Sequence, residues 1–142
     1  MIHELKTINP FFTEVLVGRK KFELHFNDRN YKVGDSLLLK EFERGEFTGK
    51  SLSLSIGCII DKNSTGKLWC DMPEGLEKNY VIISEKMDDF LISDSYRHVG
   101  DKMLLLSPNN NKWEYYEILY RISHENFPDG IKQGYFIYSI SK

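Results

Sequence analysis

The residues best suited to chemistry lie close together early in the chain: Lys20, Lys21, Glu23, His25 and Arg29, with Lys6 shortly before them. Residues 21–26 alternate strictly. Phe22, Leu24 and Phe26 point one way and Lys21, Glu23 and His25 the other, the pattern of a half-buried strand. Lys20 and Arg29 flank the polar face, and Lys6 approaches it from the first strand. Such a surface carries several donors for phosphate or base oxygens, one carboxylate acceptor and one titratable imidazole. Glu23 either accepts from an exocyclic amine or neutralises a lysine. The plainer alternative is a solvated strand face with local ion pairs. Replacing Lys20 or Arg29 by Ala should weaken anion binding with little loss of folding stability, since exposed charge changes cost little.

Other polar residues read more readily as structural. Asn27 and Asp28 suit turn capping through their side chains, and Arg29 can pair with Asp28 or Asp35. His3 and Glu4 could do acid–base work or simply hold hydrogen bonds. The four histidines (His3, His25, His98, His124) show no metal-like grouping, so neither a metal nor another cofactor is expected. Cys58 and Cys70 lack zinc-ligand spacing, and Cys58 lies in an apolar run that suits a buried thiol. No Gly-rich phosphate loop, nucleophile elbow or Cys-His signature is present.

The elements that must position these groups follow from the pattern. Residues 2–7 form a strand. Asn9 caps a helix that has Pro10 at its first position, Phe11, Phe12, Val15 and Leu16 on one face, and Gly18 as a left-handed end. Val33-Gly34-Asp35 turns into a strand at 37–40. Arg44-Gly45 and Thr48-Gly49 mark a hairpin, Leu52, Leu54 and Ile56 alternate with serines, residues 61–66 make a polar loop, and residues 80–84 a last strand. The rest of the chain echoes this order. Val99-Gly100-Asp101 repeats Val33-Gly34-Asp35, and the stretch from Pro128 to Ser139 repeats that from Pro73 to Ser84. The echo has no helix, which leaves one apolar sheet face to be covered by the first copy or by another molecule. The expected domains are 1–86 and a partial repeat at 87–142.

Composition bounds the reading. A chain of 142 residues with 41% hydrophobic and 28% charged residues can build an ordinary globular core. A formal net charge of -2 argues against a strongly basic coat for duplex nucleic acid, though not against a local basic cleft. The aromatic share of 13% serves sheet packing, or base stacking where a ring is exposed. The N-terminus shows no signal-peptide core and no apolar run approaches a membrane span, so the expected compartment is the cytoplasm.

Residues 2–84 also resemble the ASCH-like branch of the PUA-like superfamily, a group found largely in bacteria and phages. The resemblance rests on His3-Glu4-Leu5-Lys6, on Gly18, Lys20, Phe22 and Glu23, on Asn27-Asp28-Arg29 and on Val33-Gly34-Asp35. Lys21 stands where Thr is usual, His25 where Arg is usual, and Asn79 where Gly is usual. The resemblance implies an α+β, mostly β fold: a small antiparallel β-barrel with one N-terminal helix, here followed by a shortened second copy of the β unit. It also implies a cleft beside the Gly18–Phe26 segment. Relatives bind RNA or modified nucleosides, and one hydrolyses acetylcytidine with a Lys, a Thr and a Glu. Lys20 matches that lysine, Glu23 occupies the threonine position, and the helical insertion bearing the glutamate has no visible counterpart.

Three functional expectations follow. The leading one is a binding module, without turnover, for RNA or a nucleotide-derived small molecule held by Lys6, Lys20, Lys21, Glu23, His25 and Arg29. The second is a hydrolase acting on a modified nucleoside or RNA, with His25 or Glu23 as acid–base and Lys20 stabilising charge. The third is a phage counter-defence protein that sequesters a nucleotide signal or blocks a host protein. No membrane partner is expected; a homodimer or a host protein partner is the alternative to a nucleotide ligand.

Overall fold

The computed structural model describes residues 1–64, 72–107 and 110–142; Cys70 and Gly66, and with them any Cys58–Cys70 pairing and the end of the expected polar loop, lie outside the described residues. The chain is mostly β, with a curled half-barrel sheet and, among the described residues, one short α-helix. In order the elements are β1 (Ile2–Ile8), α1 (Phe11–Leu16), β2 (Phe22–Phe26), β3 (Ser36–Glu43), β4 (Glu46–Ser55), β5 (Cys58–Ile60), β6 (Tyr80–Ser84), β7 (Phe90–Ser93), β8 (Lys102–Leu106), β9 (Trp113–Ser123) and β10 (Phe136–Ser141). They form three sheets, β1-β3-β4, β2-β6-β5 and β7-β10-β9-β8. All pairings are antiparallel except β1 with β3. Among the described residues no helix is long and apolar enough to cross a membrane.

β1 alternates as a half-buried strand should, with His3, Leu5 and Thr7 inside and Glu4 and Lys6 outside. Asn9 then starts the helix from one residue further out than a standard cap. Its Oδ1 accepts from the Thr13 backbone N–H at 3.0 Å and the Thr13 hydroxyl at 2.7 Å, while its amide donates to Glu41 at 2.9 Å. Only Phe12 and Val15 of the expected apolar helix face are buried; Leu16 is exposed and Phe11 half-buried, because a helix of six residues presents little more than one turn to the core. After Gly18, the backbone N–H groups of Arg19 and Lys20 both reach the Glu14 carbonyl at 3.0 Å, and this tight turn delivers Lys20 to the start of β2.

Three expectations about the strands need correction. Phe22 and Leu24 are buried, but Phe26 is 47% exposed at the end of β2, its ring edge-on to Tyr80. Glu23 is buried as well, because β2 packs on the hydrophobic core with one face while α1 and β1 return over the other. Thr48-Gly49 lies inside β4 near a register shift opposite Lys40 and Phe42, so Arg44-Gly45, both with positive φ, alone makes the hairpin turn.

One core joins α1 and β1 to β3 and β6 through Leu5, Phe12, Leu39 and Ile83. A second lies between the two halves of the chain and combines Phe22, Leu24, Ile60 and Ile82 with Phe90, Ile92, Ile122 and Ile137. The apolar face of the C-terminal half is thus covered in part by the N-terminal half. The third core, around Tyr116, Ile118, Tyr138 and Ile140, belongs to the C-terminal half alone.

Matched contacts recur in the two halves. The Gly34 N–H donates to the Ile56 carbonyl at 2.9 Å, and the Gly100 N–H to that of Ile118 at 2.8 Å. Asp35 accepts from the Lys32 N–H, and Asp101 from that of His98. Phe22 pairs with Ser84 across β2 and β6, and Phe90 with Ser139 across β7 and β10. At the junction Leu76 bridges Ile131, the Glu77 N–H donates to Gly130 at 2.9 Å, and the Lys132 N–H donates to Gly75 at 2.8 Å. A Cβ on Gly75 would fall 2.5 Å from the Tyr135 ring, and one on Gly130 2.8 Å from the Tyr80 ring. Both positions therefore require glycine so that a ring of the other half can lie against the backbone.

Candidate functional site

The turn after α1 and the first residues of β2 set two opposite charges side by side out of water. Lys20 and Glu23 are each only 5% exposed. The Lys20 ammonium donates to Glu23 Oε2 and, at 2.9 Å, to the Phe22 carbonyl; it also lies 5.9 Å from the Phe11 ring centre and 5.5 Å from that of Phe22. Glu23 Oε1 sits 3.3 Å from His25 Nε2. Burial pushes the Glu23 carboxyl up, but the Lys20 charge and then the His25 hydrogen bond more than offset it and hold the group down at about 2. Glu23 is thus a fixed carboxylate, and since each of its oxygens has two acceptor directions it keeps capacity beyond Lys20 and His25.

Polar and aromatic groups continue from His25 towards the Val-Gly-Asp turn. The His25 ring neighbours Tyr31 at 6.2 Å, Tyr31 meets His3 edge-on at 4.8 Å, and His3 Nε2 lies 2.9 Å from Asp35 Oδ2. Burial raises the Tyr31 hydroxyl above its ordinary range, whereas the His3 hydrogen bond lowers Asp35. His3 is buried and engaged, as a structural histidine is.

Two cavities share Lys20 and Glu23 as a common wall. The larger, about 430 Å³, has Lys20, Lys21 and Lys86 facing Glu23, Glu85 and Asp89, so its charges balance. The smaller, about 250 Å³, has Lys6, Lys20 and His25 around the single carboxylate of Glu23, and apolar walls from Ile8, Phe11, Leu24, Ile122 and Phe127. A few convergent polar groups within an apolar enclosure are the features of a small-molecule site. Among the described residues no group of three or more His, Cys, Asp or Glu could hold a metal ion.

Of the residues expected from sequence, Lys6, Lys20, Glu23 and His25 meet around the smaller cavity. Lys6 is exposed and its ammonium lies 4.6 Å above the Phe42 ring. Lys21 turns away, donating to the Ile140 carbonyl at 3.2 Å and lying 3.7 Å from Asp89, and its backbone N–H reaches Ser139 Oγ at 3.1 Å; it ties the two halves together. Arg29 is exposed, donates to the Glu4 carbonyl and lines neither cavity. Lys20 is not an exposed cation, so the expectation that its loss costs little stability does not hold. Asn27 accepts from the Tyr31 N–H at 3.2 Å, a turn role. Sequence reasoning did not point to Thr7, Phe11, Ile122 or Phe127. Phe11 reads as core, Thr7 follows Lys6 on β1 with its side chain buried, and Ile122 and Phe127 come from β9 and the turn after it, distant in sequence.

The fold and the site define a small, β-rich domain with a charged pair in the wall of a partly apolar cleft. The chain belongs to the family described as a domain of unknown function, DUF3850, which matches residues 2–85, from β1 to just past the end of β6. It is 42% identical over 60 residues to an uncharacterized 12.9 kDa protein in the GpA 3' region of Escherichia phage P2, covering 42% of this chain and 55% of that protein. It is 34% identical over 79 residues to one component of the aspartyl/glutamyl-tRNA(Asn/Gln) amidotransferase of Mycoplasmopsis pulmonis, covering 55% of this chain and 15% of that protein. The matched segment thus spans about half of the phage protein and a small part of the amidotransferase component.

Proposed function

We propose that this protein is a binding module for a nucleotide-derived ligand or RNA, held without turnover in the smaller cavity beside Gly18–Phe26. The observation that carries this reading is the buried Lys20–Glu23 pair, an ammonium and a fixed carboxylate set together in the wall of a cavity with aromatic sides. Burying two charges is expensive, and an apolar pair of the same size would often serve a core as well or better. A site that must both donate and accept at one place gives the pair a use. Lys6 at the rim supplies a cation for a phosphate, Glu23 accepts from base N–H groups, and Phe11 and Phe127 offer ring faces. The volume suits a single base or nucleoside, so RNA would enter by one splayed nucleotide.

The finer fold reading belongs here too. An ASCH-like, PUA-like first unit at 1–86 followed by a degenerate second copy at 87–142 is supported by the motifs quoted above and by the matched hydrogen bonds, the matched Phe–Ser pairings and the reciprocal Gly–Tyr contacts. A second functional reading, hydrolysis of a modified nucleoside, draws support from the Glu23–His25 contact, in which the fixed carboxylate would orient the His25 ring as the acid–base group. Titration with short single-stranded RNA and with nucleoside monophosphates at low and high salt, followed by chromatography of the recovered ligand, tests both. Salt-sensitive binding with the ligand unchanged is expected. Product formation would favour the hydrolase, and no binding to either probe would refute the module.

A further inference from the structure

The C-terminal half is more than a second core. Through Ile122 on β9 and Phe127 in the turn that follows, it supplies part of the lining of the smaller cavity, to which Lys6 and His25 also contribute. Phe127 is held by its backbone: its N–H donates to the Ser123 carbonyl at 3.1 Å, and its own carbonyl accepts from Gly130 and Ile131 at 3.1 and 3.0 Å. Its ring is half-buried and meets that of Phe11 at 5.5 Å with 44° between the planes. A ring on a fixed backbone beside a cavity presents a face at little entropic cost.

The two halves are unequal in chemistry. The register that aligns Phe22 with Phe90 and Ser84 with Ser139 sets Asp88, Leu91 and Ser93 at the positions of Lys20, Glu23 and His25. The C-terminal half therefore lacks the charged constellation and keeps only the wall. We infer that Phe127 is a specificity-determining residue of the cleft, and that its ring, with Phe11, receives the face of an aromatic base whose N–H edge is turned to Glu23. This rests on the nucleotide-binding reading and narrows it: the base, not the phosphate alone, is what the site selects. Neither half would hold such a ring by itself, because Lys20, Glu23 and Phe11 come from one and Phe127 from the other.

The test uses the full chain, with AMP, CMP, GMP and UMP as probes and ribose 5-phosphate as the base-free control, titrated into the wild type, Phe127→Leu and Phe127→Tyr. Leucine keeps apolar volume against the core and removes the aromatic face; tyrosine keeps the face. The wild type should bind at least one nucleotide more tightly than ribose 5-phosphate. Phe127→Leu should weaken that nucleotide about tenfold or more, leave ribose 5-phosphate unchanged and melt close to the wild type, while Phe127→Tyr keeps the affinity. Wild-type nucleotide affinity in Phe127→Leu would overturn the inference and leave the nucleotide-binding reading standing. Equal loss for nucleotide and ribose 5-phosphate would overturn it in favour of a packing role. A wild type that does not distinguish nucleotides from ribose 5-phosphate would overturn the base-selective site itself.

Discussion

Replacing Lys20 by methionine tests the site at its most constrained point. The methionine side chain fills similar space but cannot donate, so the Phe22 carbonyl loses its 2.9 Å partner and Glu23 keeps only His25 at 3.3 Å. Both members of the pair are about 95% removed from solvent, and removing one partner of such a pair costs roughly 3–5 kcal/mol. For a chain of this size each kcal/mol moves the melting temperature by about 2–4 °C, so a loss of roughly 6–20 °C is expected at pH 7. The pH dependence gives the sharper signature. In the wild type the Glu23 carboxyl is depressed to about 2, so its contribution is complete above about 4.5 and is lost as pH falls from there towards about 2. In Lys20→Met the carboxylate is buried without its cation, its affinity for a proton rises, and the variant should regain part of its deficit between pH 7 and pH 5. Urea denaturation at both pH values measures this. Adding Glu23→Leu to Lys20→Met should recover most of the lost stability, since no buried charge is then left unpaired. A Lys20→Met protein within about 1 kcal/mol of the wild type, with the same pH dependence, would refute the reasoning, because changes away from core, charge and backbone features stay near that range.

Further outcomes follow from the same contacts. Gly75→Ala should cost about 1–3 kcal/mol in urea denaturation, since its Cβ would fall 2.5 Å from the Tyr135 ring; a neutral result would show that the ring yields freely. Arg29→Ala should change stability by no more than about 0.5 kcal/mol and leave nucleotide affinity at the wild-type level, because this exposed side chain lines neither cavity. A clear loss of affinity in that variant would mean the bound ligand extends along β1 beyond the cleft.

Much of the scaffold was legible because its signals are local. Residues 2–7 read as a strand and fall within β1, apolar residues between turn formers give β6 its span of Tyr80–Ser84, and positive-φ turn residues end α1 and close the β3–β4 hairpin. What was misjudged depends on long-range packing. Alternation assumes that one strand face meets water, and nothing within residues 21–26 says that α1 and β1 fold back over Glu23. Phe26 fits the same alternation yet lies past the end of the core. Of the charged cluster, Lys21 and Arg29 were near the site in sequence but are drawn elsewhere by Asp89, Ile140 and Glu4. Phe127 joins the cleft because the two halves pack on each other, through the shared core and the Leu76–Ile131 bridge, and no local pattern reveals that packing.

The most direct test of the central claim is the amide chemical-shift map of the full chain as a nucleoside monophosphate is added. The account predicts saturable shifts centred on Lys6, Phe11, Lys20, Glu23, His25 and Phe127, with Asp88 to Ser93 unmoved. An unchanged spectrum at millimolar nucleotide, or shifts confined to surfaces away from the Lys20–Glu23 pair, would contradict it.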